Sequence, residues 1–432
     1  MLDKNKYHIK ILDTPLHRDV NTKVVLSVDY NNTIGSAWTT ISGADYGIYL
    51  QGDIVITEKF ELNEFWLAQG EASLTLIDSN GELTTILHSN LTDLDTIYIS
   101  IYQDTTLLYR GFLDPSSVDC KPLGRLVKFD FRPRSHYLNE TDTYIADLIN
   151  TTPLGPDFDI DYNFNDHADP DNDYNLVSDV ITRIFNIPPL PPDIVSGVTV
   201  EIEQNWKYKT VIGGSPPTTI QKNFSDLYVL NRYLFGRYDG AGVWVPNEYT
   251  NYGQIIKALA FDFGCFAGYL SEGRAVFLQF SEIGNSRIFE ISQDQLIDHE
   301  KMITRPKLQY LKLVADSTIF AEVGTPTSIQ SKYLEYRIYA NIYRLTNSGK
   351  YWNINYYLPA SEAYQLVKES FLSNYWSAYF FRTKQQFEVT FEINGIDLDL
   401  TRQILYEGEY FQPCEITRNI TKNTTSVRAI YL

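Results

Sequence analysis

Strict two-residue alternation of apolar and polar side chains, present near both ends of the chain, is the feature that most limits the fold. Successive side chains on an extended strand point to opposite faces, so this period buries one face of a sheet and wets the other, which a helix cannot do. Ala72, Leu74 and Leu76 alternate with Glu71, Ser73 and Thr75, and much later Phe387, Val389, Phe391 and Ile393 alternate with Glu388, Thr390 and Glu392. Both stretches predict half-buried antiparallel strands. With 32 Tyr and 23 Phe against 2 Met, the residue supply also suits pleated surfaces. The expected fold is mainly β (α+β): two antiparallel β-barrel-like domains with a mixed α/β insertion between them.

Around the first stretch, Asn80-Gly81 supplies turn residues favoured in hairpins. Ile97, Ile99 and Ile101 at period two, a polar break at Gln103-Asp104 and the run Leu107 to Leu113 ending at Asp114-Pro115 predict a second hairpin. Val127, Phe129 and Phe131 share one face of a strand that Pro133 closes, since proline cannot donate to a ladder. Residues 24–138 are therefore read as the first barrel, preceded by an N-terminal arm over 1–23.

From 139 to 300 the pattern is mixed. Asp157, Asp159, Asp161, Asp166, Asp169, Asp171 and Asp173 precede apolar residues at helical spacing (Leu176, Val177, Val180, Ile181, Ile184), with Asp173 placed to cap them. Pro188, Pro189, Pro191 and Pro192 make a stiff extended spacer. Strands are expected at 198–202 and 206–211, near a Gly213-Gly214-Ser215-Pro216-Pro217 break. Tyr252, Ile255, Ile256, Leu259, Ala260 and Phe263 form a helical stripe, followed by a hairpin over 265–280 with Ser271-Glu272-Gly273 as its loop. The second barrel is placed at 301–432. It has a strand through Leu334, Tyr336 and Ile338, a helix at about 361–375, a hairpin turn at Asn394-Gly395, and short strands at 404–411, 415–420 and 426–431.

Charge and motifs exclude more than they assign. The 36 Lys and Arg against 54 Asp and Glu leave a net charge of −18, with no basic block, which opposes holding nucleic acid by phosphate neutralisation. The first ten residues lack the apolar core of a secretory signal, and the run from Ile255 to Leu270 is too short to span a bilayer, so cytoplasmic synthesis is expected. Cys120, Cys265 and Cys414 lie far apart with no CxxC pair. His8, His17, His88, His136, His167 and His299 contain no metal-ligand spacing. Asp169-Pro170-Asp171-Asn172-Asp173 resembles the start of a calcium loop, but Tyr174 stands where that loop needs glycine and Val180 where it needs a bidentate glutamate. No nucleophile elbow, phosphate-cradling loop or dinucleotide fingerprint occurs. Catalytic, cofactor-binding and metal-binding residues: none are nominated, and no cofactor is called. The aromatics Tyr228, Tyr233, Phe235, Tyr238, Trp244, Tyr249 and Tyr252 suit a sugar-stacking surface or a subunit interface, while ordinary core packing is the commonest use of such residues.

One order of motifs goes further. Ile97-Tyr98-Ile99, then Leu107-Leu108-Tyr109-Arg110-Gly111-Phe112-Leu113-Asp114, then Val127-Lys128-Phe129-Asp130, resembles the first barrel of the baseplate or tail-tip hub proteins of long-tailed bacteriophages and related contractile injection systems. The helix and hairpin at 252–280, the strands around 307–342, the helix at 361–375 and the run from Gln403 to Leu432 resemble that family's middle domain and second barrel.

The resemblance implies a structural, non-enzymatic virion protein. It would be a homotrimer whose paired barrels form a six-fold-like ring, adapting a hexameric tail tube to a three-fold tip and lining part of the DNA-ejection channel. Implied partners are further copies of itself, a tail-tube or distal tail protein ring, and a tail spike, fibre or tape-measure protein, with DNA only in transit. Localisation would be the phage tail, after assembly in the host cytoplasm. The chain stops at Leu432, directly after the second barrel, so no lysozyme-like, peptidase or fibre module is expected. The net acidity fits a lumen that repels phosphates, and equally plain solubility. The alternative is a carbohydrate-binding, host-receptor β-sandwich tail protein using the aromatics at 228–252; a glycan hydrolase would need two carboxylates facing across a cleft.

Overall fold

The computed structural model describes residues 8–17, 20–27, 41–60, 69–89, 97–121, 125–140, 174–186, 200–204, 206–210, 218–222, 228–230, 236–238, 244–246, 252–263, 265–279, 287–303, 310–315, 318–324, 333–337 and 387–431. The chain is mainly β. In its first part run β1 (His8–His17), β2 (Val20–Ser27), β3 (Ile41–Ser42), β4 (Ile48–Leu50), β5 (Val55–Lys59), β6 (Gln69–Asp78), helix α1 (Glu82–Ser89), β7 (Tyr98–Gln103), β8 (Thr106–Leu113), β9 (Asp119–Lys121), β10 (Leu126–Arg132) and helix α2 (Ser135–Glu140).

These strands curl into a barrel in the order β6-β10-β8-β7-β2-β1-β3, and β4, which follows β3 in the chain, pairs with the far half of β6. One cluster fills it, including Ile9, Val24, Leu26, Ile48, Leu74, Leu76, Ile99, Ile101, Tyr109, Val127, Phe129 and Phe131. The inward residues of β6 and β10 are the alternating ones, so period two does set their faces.

Two local expectations are overturned here. Residues 8–17 and 20–23 do not form the expected arm, because β1 pairs with β2 along its length and Ile9 is fully buried. Register shifts between Lys10 and Leu12 and between Pro15 and His17 break the alternation that would have marked it. Asn80-Gly81 does not make a hairpin either, since the chain enters α1. Buried Asp78 accepts from the amides of Leu83 (3.3 Å) and Thr84 (2.7 Å) and from the Thr84 hydroxyl (2.7 Å), satisfying donors that a helix start leaves open. Asp78→Ala is expected to cost about 1 kcal/mol, the usual worth of such a cap, in a urea melt. An unchanged midpoint would show that α1 needs no cap.

The middle part holds β11 (Tyr174–Leu176), helix α3 (Val177–Asn186), β12 (Val200–Ile202), β13 (Trp206–Thr210), β14 (Thr218–Lys222), β15 (Tyr228–Leu230), β16 (Gly236–Tyr238), β17 (Trp244–Pro246), helix α4 (Tyr252–Phe263), β18 (Cys265–Tyr269) and β19 (Ala275–Gln279). Leu176 falls in β11 rather than in the helix it was assigned to. On α4 the expected stripe is inward: Tyr252, Ile255, Ile256, Leu259 and Ala260 are all buried. The β18-β19 hairpin turns where Leu270 N donates to Arg274 O (2.9 Å), with Gly273 in the left-handed region. No helix among the described residues is long and apolar enough to cross a membrane.

The last part comprises β20 (Ile288–Glu290), β21 (Leu296–Ile303), β22 (Tyr310–Ala315), β23 (Thr318–Gly324), β24 (Tyr333–Arg337), β25 (Phe387–Asn394), β26 (Gln403–Tyr406), β27 (Glu409–Asn419) and β28 (Thr424–Tyr431). β22, β23 and β24 form their own sheet, while β21-β25-β28-β27-β26-β20 is the second barrel-like unit. Its two end strands are joined by the short corner 291–295, so the sheet curls toward closure. This unit begins before residue 301, in β20 and β21. Gly395 makes no hairpin; its amide donates to Asn423 O, and the chain crosses through buried Ile396, Leu398 and Leu400 to β26. The 404–411 strand is split at Glu407-Gly408, both left-handed, into a two-residue hairpin turn. The helix at 361–375, the acidic run 157–173 and the proline spacer 188–192 lie outside the described residues.

Candidate functional site: the seam between the barrels

The two barrels share one continuous 16-stranded sheet, joined where β5 of the first pairs antiparallel with β27 of the second. Val55 to Lys59 face Asn419 to Glu415 in unbroken register. Backbone bonds extend the seam at both ends, from Ile420 N to Ile54 O (2.9 Å) and from Phe60 N to Cys414 O (2.8 Å). Apolar residues cross it as well: Ile396 and Ile420, from loops of the second barrel, are buried in the core of the first.

Alternation on β5 turns Ile56 and Glu58 inward, so a carboxylate is carried into the interior. Glu58 is 1% exposed and meets Arg418, 6% exposed, at 2.8 Å. The same guanidinium donates to Leu398 O (2.6 Å) and to the Ser271 hydroxyl (3.3 Å). Ser271 N in turn donates to Glu58 (2.7 Å), and Arg110 N of β8 donates to Ser271 O (2.8 Å). The hairpin tip of the middle part is thus plugged into both barrels at once. A Cβ added to Gly70 would lie 3.3 Å from Ser271 Cα, so the glycine lets the plug approach. Phe60 packs against Phe266 beside it, the rings tilted by 57° with centroids 4.7 Å apart.

At the rim, Lys422 (2.7 Å) and Asn419 (2.9 Å) both contact Asp53. The Lys422 hydrogen bond, then that of Asn419, holds this exposed carboxyl below its usual range. Next to the plug, burial pushes the Glu272 carboxyl up, and Glu58 adds to this against the pull of its own amide and of Arg274. Folding therefore disfavours charged Glu272. The penalty is absent below its unfolded value of 4.5 and grows as pH rises through the higher folded value. Glu272→Gln is expected to melt above the parent at pH 7, with the gap closing toward pH 4. A gap constant across that range would remove Glu272 as its source.

Among the described residues the histidines do not converge. His8 is buried against Ser27 (3.3 Å), His136 lies beside Arg132 and Phe112, and His299 is exposed near Tyr406. The cysteines are likewise apart, none in a disulfide, and among the described residues no group of three or more His, Cys, Asp or Glu is placed to hold a metal. Of the aromatic run, Tyr252 is a core residue whose phenol burial pushes well up. Tyr228, Tyr238 and Trp244 sit in β15, β16 and β17, whereas Tyr233, Phe235 and Tyr249 lie outside the described residues. Sequence reasoning missed Glu58 and Arg418. The available signal was an acidic residue at an inward position of Val55-Ile56-Thr57-Glu58 and a basic one at an inward position of Ile416-Thr417-Arg418.

Fold and seam define a class: a mainly β protein of two barrel units fused edge to edge, with a third part pinned across the joint. No family model and no curated protein matches the chain. Solved structures do, and three tail proteins are among them. A tail protein from Neisseria meningitidis MC58 aligns over 89% of this chain and 92% of its own at 10% identity, TM-score 0.44. The 43 kDa tail protein of prophage MuSo2 from Shewanella oneidensis covers 88% and 95% at 10% identity, TM-score 0.41. A prophage tail protein from Listeria monocytogenes EGD-e covers 88% and 94% at 9% identity, TM-score 0.39.

Proposed function

We propose that the chain is a structural, non-enzymatic virion protein, the hub of a phage tail tip or baseplate. It adapts a hexameric tail tube to a trimeric tip and forms part of the DNA-ejection channel. The observation that carries this is the seam: backbone pairing, a buried ion pair and shared core join the two barrels edge to edge. Two like units joined in this way are what a ring adaptor needs from each copy. The motif order noted above, with Tyr109 and Gly111 at its centre, points the same way.

In this reading the partners are other copies of the chain, a tail-tube or distal tail ring on one side and a spike, fibre or tape-measure protein on the other. DNA passes without being held, because an acidic wall repels phosphates. The test is the mass of the purified protein by light scattering across a dilution series, with electron-microscope class averages of the same sample. Three copies in a ring with a central hole are expected. A monomer at every concentration that binds on a glycan array would replace the hub by the carbohydrate-binding alternative, and a basic lumen would end the channel argument.

A further inference from the structure

The two barrels repeat one motif. In the first, β9 turns into β10 with Lys121 opposite Leu126; in the second, β27 turns into β28 with Asn419 opposite Thr424. Both turns end on a left-handed non-glycine residue, Arg125 (φ 48) and Asn423 (φ 54). The preceding hairpins, β7-β8 and β26-β27, match in the same way, turning at left-handed Asp104 and Glu407. On the other side of β10 lies β6, then β5; on the other side of β28 lies β25, then β21. Inward residues superpose on inward residues, Ala72 and Leu74 on Val389 and Phe391. The repeat ends at the outermost strand, where β2 is antiparallel to β7 but β20 is parallel to β26.

Under this correspondence β5 equals β21, and the last residues of β27 equal β9. Within the chain β5 is covered by β27. Among the described residues β21 pairs only with β25, and β9 only with β10. Their outer edges carry exposed residues, Glu300 and Lys301 on one, Asp119 and Lys121 on the other. Open strand edges are templates for pairing with another chain.

We propose that the C-terminal half of β21 in one copy pairs antiparallel with the outer edge of β9 in the next, repeating between chains the seam that β5 and β27 make within one. The register follows from Val55–Asn419 and Ile56–Arg418: Glu300 stands opposite Lys121, Lys301 opposite Cys120, and Met302 opposite Asp119. Glu300 and Lys121 are then a complementary pair directly across the ladder, a favourable arrangement that like charges would reverse. The contact is head to tail, so it closes a ring when the rotation permits. This deepens the hub reading and rests on it.

Two experiments test it on the full-length chain. Lys301→Cys, oxidised under mild conditions, is expected to cross-link to the native Cys120 of the neighbour, because directly opposed Cβ atoms lie about 5 Å apart. Covalent dimers and larger species should appear, and be lost when Cys120→Ser is added. Separately, Lys121→Glu should weaken self-association about tenfold, the equivalent of turning one favourable pair into a repulsive one, and Glu300→Lys in the same chain should restore it. Rings that form without cross-linking and ignore the charge swap would overturn this contact and leave the hub reading standing. A chain that neither associates nor cross-links would overturn both.

Discussion

Arg418→Met is expected to lower the unfolding free energy by about 3–5 kcal/mol, because it strands the Glu58 carboxylate, 1% exposed, without its guanidinium. Two further acceptors lose a donor in the same step, Leu398 O and the Ser271 hydroxyl. The double variant Glu58→Gln with Arg418→Met should recover a good part of that loss, since a neutral amide costs less to bury than an unpaired charge. Ser271 N can still donate to the side-chain oxygen of a glutamine. Urea melts of Glu58→Gln, Arg418→Met and the double variant beside the parent, followed by tryptophan fluorescence, form the cycle. If Arg418→Met alone stays within about 0.5 kcal/mol of the parent, the pair is not what holds the seam.

Gly111→Ala should destabilise the first barrel by about 1–3 kcal/mol, the range for forcing one extra carbon into a packed site. A Cβ at 111 would fall 2.5 Å from the Tyr109 hydroxyl and 2.7 Å from Arg132 O, closer than real Cβ contacts come. The tyrosine cannot simply swing away, because it is fully buried and its hydroxyl donates to Phe131 O at 2.8 Å. Tyr109→Phe in the same background discriminates between causes. Without the hydroxyl the added methyl has less to strike, so the cost of Gly111→Ala should shrink in Tyr109→Phe. Equal costs in both backgrounds would place the strain at Arg132 O and at the Tyr109 ring carbon Cε1, each 2.7 Å from the added Cβ, instead of at the hydroxyl. The Tyr109-Arg110-Gly111 sequence thus has a packing reason: a long side chain arches over a position that must stay bare.

Much of the strand content was legible because it depends on side-chain period alone. β6, β7, β10 and β25 lie where the alternation puts them, β8 where the run from Leu107 to Leu113 does, and α4 where its apolar stripe does. Period fails where backbone irregularity intervenes, as at the two register shifts of β1. Turn dipeptides fail where a distant or neighbouring group captures the chain, as Asp78 does after Asn80-Gly81 and Asn423 O does at Gly395. The charges that matter most, Glu58 and Arg418, look like any surface pair in a linear string, 360 residues apart.

What local chemistry settles in this chain is which residues become strands and which face of each is apolar, since those follow from the spacing of side chains along an extended backbone. What only the folded molecule decides is which edges meet. β5 could pair with any open strand by its backbone alone, because hydrogen-bonding groups are the same in every residue. It pairs with β27 because, in three dimensions, Glu58 finds Arg418, Ile420 finds the first core, and Ser271 closes over both. Such selection by long-range complementarity leaves no trace in local periodicity.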